Sequence, residues 1–183
     1  MHAFVATGSE RTFVFAMRGT RIQDGGDWLA NVQQALGANA AHYREALGLA
    51  GSISESGFAN RVSFTGHSLG GGLASAAAIA SGRPADTFNA AGLHGATVAK
   101  AESIRTENGV NTQARIVAHY FKGEILSRVQ DGSFGVAFQD LPSAFGIRRA
   151  LDPIAPVGTS WVNKTVSPVA SHSIDWVLSS LPR

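Results

Sequence analysis

The sequence predicts an α/β fold, and three observations predict it. Short runs rich in Phe and Val alternate with stretches of helical spacing along the chain. The sharpest of these successions passes from an apolar strand at residues 61–65, through a glycine-rich turn, to an alanine-rich helix at 73–81. Alanine and glycine together supply 29 and 21 of the 183 residues, a composition that lets helices lie close on a sheet. A chain of this length holds one domain at roughly 100 to 200 residues per domain. With 44% apolar residues it can bury a sizeable core, so residues 1–183 are read as a single domain.

Taken in order, residues 2–7 and 11–17 are two short strands joined by Gly8-Ser9-Glu10, the signature of a hairpin. Residues 27–32 have helical spacing, with Asp24 or Asp27 able to cap, and residues 38–49 continue in good helix formers after the break at Gly37. The strand at 61–65 and the helix at 73–81 follow, the helix stopped by Gly82 and Pro84. Residues 87–90 form a weak strand, 97–106 a helix and 115–121 the best strand of the second half, which together read βαβαβ. Between 130 and 168 glycines, prolines and scattered aromatics give no regular pattern, and 173–181 is a last helix. The expected whole is a mostly parallel central sheet with helices on both faces, preceded by an N-terminal hairpin.

Composition excludes several classes of function. The net charge is +2, and no basic run is longer than Arg148-Arg149, so no stripe suited to a nucleic-acid backbone is present. Zero cysteines exclude disulfides, thiolate metal sites and a cysteine nucleophile, and they leave the compartment open. The N-terminus lacks the basic and apolar regions of a signal peptide, and no apolar run reaches ~18 residues. The chain is therefore expected to be soluble and without an address of its own.

The turn itself carries the chemistry. Gly66-His67-Ser68-Leu69-Gly70 fits G-x-S-x-G, in which a serine sits on a strained strand-to-helix turn and a Cβ two residues to either side would strike backbone. The helix that follows aims its free amides at the reacting centre, where an oxyanion develops. A loop that merely packs a helix on a sheet, or one that cradles phosphate, would also use glycine. Residues 66–72, however, lack both the Lys-Ser/Thr ending of a P-loop and the G-x-G-x-x-G spacing. His67 is assigned a packing or hydrogen-bonding role, because adjacent residues on such a turn project in different directions.

A serine needs a base, and the base needs a group that fixes its tautomer. In the α/β-hydrolase order of Ser, acid, His, the base follows Ser68, which leaves His94, His119 and His172. His119 lies within a strand and His94 comes too early for an acid to precede it. His172, in the short polar stretch Ala170-Ser171-His172-Ser173, is selected. For the acid, Glu124 follows the strand that ends at Phe121, at the carboxyl edge where open α/β sheets place their chemistry. Asp131 and Asp152, both in turn settings, remain alternatives.

These residues resemble the class 3 lipase family, serine lipases with an α/β-hydrolase fold, in the form of a compact bacterial-type member. Val14-Phe15-Ala16-Met17-Arg18-Gly19-Thr20, Asp27-Trp28-Leu29-Ala30-Asn31, Thr65-Gly66-His67-Ser68-Leu69-Gly70-Gly71 and Thr87-Phe88-Asn89-Ala90-Ala91-Gly92 carry the likeness in the family's order. It implies Ser68 as nucleophile, Glu124 as acid, His172 as base, and Thr20 with the amide of Leu69 as the oxyanion hole. Met17 stands where Phe is usual and Glu124 where Asp is commoner, and the residues between Gly19 and Trp28 are too few for a long helical lid.

The expected function is a serine ester hydrolase, a lipase or carboxylesterase, that cleaves lipid or short-chain carboxylic esters through an acyl-enzyme on Ser68. It needs no cofactor and no metal. Its partners are a small-molecule or lipid ester and, transiently, a membrane or lipid interface. The apolar stretches 134–138 and 141–145 are expected either to line an acyl pocket or to tuck onto the core. Two alternatives stand beside this reading: the phospholipase domain of a bacterial secreted effector, and a hydrolase-like binding module that has lost turnover.

Overall fold

The structure is a computed structural model and describes residues 2–6, 11–19, 40–130, 142–152, 154–158 and 170–181. Six strands, β1 (His2–Ala6), β2 (Thr12–Met17), β3 (Val62–His67), β4 (Ala85–Phe88), β5 (Ile116–Phe121) and β6 (Ile147–Leu151), form one sheet in sequential order. β1 pairs antiparallel with β2, the expected hairpin, and every later pair is parallel. All five parallel strands therefore end at the same edge of the sheet, at Met17, His67, Phe88, Phe121 and Leu151.

Sequential order with right-handed crossovers puts successive connecting helices on one face. These are α1 (Ala40–Ser54), α2 (Leu69–Ser81) and α3 (Gly95–Glu107). Side chains alternate along each strand, and Phe64, Ala85 and Ile116 point into the core that these helices share. Phe88 and Phe121 have the opposite parity and pack instead on Trp176 and Val177 of the last helix, α5 (Ile174–Ser180). Helices thus cover both faces, and the fold is that of an α/β hydrolase.

α2 explains the alanine content. All thirteen of its residues are buried. Ala74, Ala76, Ala77, Ala78 and Ala80 have no exposed surface, wedged between the sheet and α1 and α3. Longer side chains at these positions would overpack the core, at a cost of about 1–3 kcal/mol each.

The expected elements are present with shifted ends. α2 starts at Leu69 rather than at residue 73, because the glycines that follow the turn continue as helix. β4 runs two residues earlier than the 87–90 expected, since Asn89, at φ 42°, turns the chain out of the strand. α1 reaches Ser54, where helix was expected to stop at 49. Among the described residues, α4 (Ile125–Gln130) was not anticipated, being too short to show periodicity, nor was β6, whose residues are exposed or half-buried and so break the apolar pattern of a strand. The turn at residues 8–10, the helix expected at 27–32, and the lid segment at 21–27 lie outside the described residues.

Candidate active site

Ser68 stands between the last residue of β3 and the first of α2 with φ 58° and ψ −127°. Such a conformation is strained for a residue with a Cβ, and its neighbours over-determine it. The Ser68 amide donates to the Phe88 carbonyl (3.1 Å), and its own carbonyl accepts the amides of Gly71 (3.0 Å), Gly72 (3.3 Å) and Ala91 (3.0 Å). β4 and the residues just after it therefore strap the turn down. The flanking glycines are required sterically. A Cβ on Gly66 would fall on the Gly70 carbonyl, and one on Gly70 would fall on the Met17 carbonyl and on the backbone of Arg18 and Gly19. The end of β2 is thereby pressed against the first turn of α2.

The structure brings Ser68, His172 and Glu124 together across 104 and 48 residues of sequence. The Ser68 hydroxyl lies 3.0 Å from His172 Nε2. His172 Nδ1 lies 2.6 Å from Glu124 Oε2. Only 1% of Glu124 and 3% of His172 is exposed, so bulk water does not compete for these bonds. Glu124 sits just before α4, and its carboxylate accepts the amides of Leu126 (Oε2, 3.0 Å) and Ser127 (Oε1). It thus caps its own helix while it holds the imidazole. With Nδ1–H donating to the carboxylate, the Nε2 lone pair is left to accept the serine proton.

Of the rival acids, Asp152 is exposed beyond the end of β6, and Asp131 lies outside the described residues. Of the rival bases, His94 is exposed at the start of α3, and His119 is stacked on Phe88 with its Nε2 3.0 Å from Asp86 Oδ1. Leu69 is buried as the first residue of α2, where helix amides have no intrahelical acceptor. Thr20 lies outside the described residues, although Gly19 before it packs against the Leu69–Gly70 backbone. Residues 134–138 and Leu141 are also outside them. Ala144 is buried against Ala90 and Ala118, so that part of the segment tucks onto the core.

Two side chains complete the surroundings. His67 Nε2 donates to the His172 carbonyl at 2.5 Å, the hydrogen-bonding role expected of it. Its pKa is lowered to about 4, first by burial and then by the proximity of His172. Asn89 was not singled out in the sequence. Its Oδ1 accepts the Phe121 amide (3.1 Å), and its Nδ2 lies 3.5 Å from the carbonyls of both Ser171 and His172. A polar residue directly after an apolar strand, at the edge that carries the serine, was the available signal. No group of side chains suited to hold a metal occurs among the described residues.

A largely parallel sheet with a strained serine after its third strand, hydrogen-bonded to a buried histidine and through it to a carboxylate, is the architecture of an α/β-hydrolase fold. Comparison with known proteins narrows this. Residues 2–166 match a phospholipase-like family, described as the Tle-like phospholipase domain, and the chain belongs to that family. It is also similar to an extracellular phospholipase A1 of Serratia liquefaciens, 45% identical over 85 residues. That match covers 46% of this chain and 26% of the relative, so it spans about a quarter of the relative's length.

Proposed function

We propose that the chain hydrolyses a carboxylic ester of a phospholipid by acyl transfer through Ser68. The observation that carries the proposal is the hydrogen-bonded chain from the Ser68 hydroxyl to His172 (3.0 Å) and on to Glu124 (2.6 Å). Ser68 Oγ attacks the ester carbonyl while its proton passes to His172 Nε2, and Glu124 stabilises the imidazolium. The Leu69 amide receives the developing oxyanion, with Thr20 as its partner in that hole. Collapse expels the alcohol, which takes the proton from His172. Water then repeats the sequence on the acyl-enzyme and frees the fatty acid.

A relay of this kind is that of acyl transfer, which supports a carboxylic ester rather than a phosphodiester as the bond cut. Family membership and the phospholipase A1 name of the relative support phospholipid as the substrate class, and the relative's extracellular designation supports a secreted parent protein. The described elements share one sheet, which supports a single catalytic unit. Among the described residues no helix is long and apolar enough to cross a membrane.

A second reading keeps the mechanism and changes the substrate to triacylglycerol or simple esters. The likeness of Phe15-Ala16-Met17-Arg18-Gly19-Thr20 to the class 3 lipase strand favours it. Free fatty acid released from phosphatidylethanolamine and phosphatidylglycerol vesicles, measured beside tributyrin, separates the two. Faster release from the vesicles supports the first reading, and turnover of tributyrin alone overturns it. A protein that neither reacts with a fluorophosphonate probe nor turns over any of these esters is a binding module instead.

A further inference from the structure

We infer that His67 is a positioning residue for the reaction proposed above, holding the backbone of the base so that its imidazole stays over Ser68. The imidazole of His172 is held by Glu124 at Nδ1 and lies beside Ser68 at Nε2, and where the ring stands depends also on the loop that carries it. The loop is a single 3₁₀ turn, Ala170–His172, before the seven-residue α5. One anchor of this loop is the His172 carbonyl, which accepts a hydrogen bond from His67 Nε2 at 2.5 Å and has Asn89 Nδ2 at 3.5 Å. The first contact is short, and the second is at the long limit of a hydrogen bond, so of these two supports His67 is the firmer.

The geometry closes a ring. Consecutive residues of one strand end grip the base at two points, Ser68 at its imidazole and His67 at its main chain. A drift of the loop away from β3 lengthens both contacts, so the His67 bond resists the displacement that would part the base from the nucleophile. The two imidazoles lie 4.8 Å apart between ring centroids, tilted by 48°. His67 must then be neutral when His172 takes up the serine proton, since two adjacent imidazolium ions would oppose the step. Burial provides this, with the His67 pKa at about 4. A carbonyl can only accept, so the neutral tautomer bears its proton on Nε2.

The test compares three substitutions by steady-state hydrolysis of phosphatidylglycerol vesicles. His67→Phe keeps the ring volume and loses the donor. His67→Gln places an amide donor near the former Nε2, and His67→Asn carries the same amide one methylene short. Because a displacement of about 1 Å at a reacting centre costs about 10²-fold, His67→Phe is expected to lower kcat about 10- to 100-fold with KM within about twofold. His67→Gln should recover kcat to within about threefold. The inference is overturned if His67→Phe keeps its kcat, or if His67→Gln is as impaired as His67→Phe. If His67→Phe shows no cooperative melt, His67→Asn takes its place, and equal kcat for the Asn and Gln variants overturns it likewise. Ser68→Ala, run in parallel, separates the two failures. Persistent hydrolysis there removes the reaction itself, whereas an inactive Ser68→Ala beside an unimpaired His67→Phe removes only the role of His67.

Discussion

His172 Nδ1 lies 2.6 Å from Glu124 Oε2, and the same carboxylate closes the first turn of the helix it precedes. One side chain thus fixes both the base and the segment on which the acid stands. At a position where the resembling family more commonly has aspartate, the glutamate reaches the imidazole and caps α4 at once. Glu124→Gln should lose on both counts. Its amide would direct N–H groups at amide or imidazole donors, costing about 1–3 kcal/mol of stability, and kcat should fall on the order of 10⁴-fold, as in other triads deprived of their carboxylate. Asp152→Asn, measured beside it by the same ester assay and by thermal melting, should change neither by more than a small factor.

Ser68→Ala should abolish hydrolysis, a loss of about 10⁶-fold in kcat for a triad nucleophile, and also labelling by a fluorophosphonate. Far-ultraviolet circular dichroism should be unchanged, because none of the four backbone bonds of residue 68 involves the hydroxyl. Activity above a tenth of wild type would displace Ser68 from its assigned role.

Gly66→Ala should be among the most damaging single-methyl additions in the chain. Its Cβ would meet Gly70 and Gly71 backbone, which cannot swing aside as a flexible side chain can. A loss of about 3 kcal/mol or more is expected, read as a lower denaturation midpoint. Gly48→Ala, where a Cβ meets nothing within 4 Å and the residue lies within α1, should be neutral or stabilising by up to about 1 kcal/mol.

Much of this arrangement was legible in the sequence, for reasons that differ by residue. The turn around Ser68 announced itself because its glycines are steric necessities, and steric necessity leaves a fixed local spacing. Glu124 and His172 were reachable through chain order and strand-end placement, and the structure brings those two together with Ser68. β6 was hidden because Ile147, Arg149 and Ala150 are exposed, so no alternation marks it. Asn89 was hidden for another reason. Its partners are the Phe121 amide, which donates to its Oδ1, and the carbonyls of Ser171 and His172 near its Nδ2, and its polarity at the end of an apolar strand is all that the sequence shows of them.

The acid sensitivity of folding should depend measurably on His67. Its folded pKa of about 4 lies below the ordinary 6.5, so between these values the unfolded chain binds more protons than the folded one. Stability is then fully present above about pH 6.5 and falls as pH drops toward 4, by roughly 2 kcal/mol or more from this group. His67→Gln has no such proton to exclude. Urea midpoints at pH 7.5 and pH 4.5 should therefore differ less in the variant than in the wild type, and equal differences would refute the linkage.

Ser68 holds a left-handed backbone angle that glycine would adopt without strain. Ser68→Gly should on this ground be the more durable protein, by about 1 kcal/mol, and an inert one. Selection for thermal endurance alone would therefore erode function at this residue first. Any effort to harden this protein by screening survivors of heat has to score turnover in the same round, or it will enrich sequences whose improvement lies in having given up their chemistry.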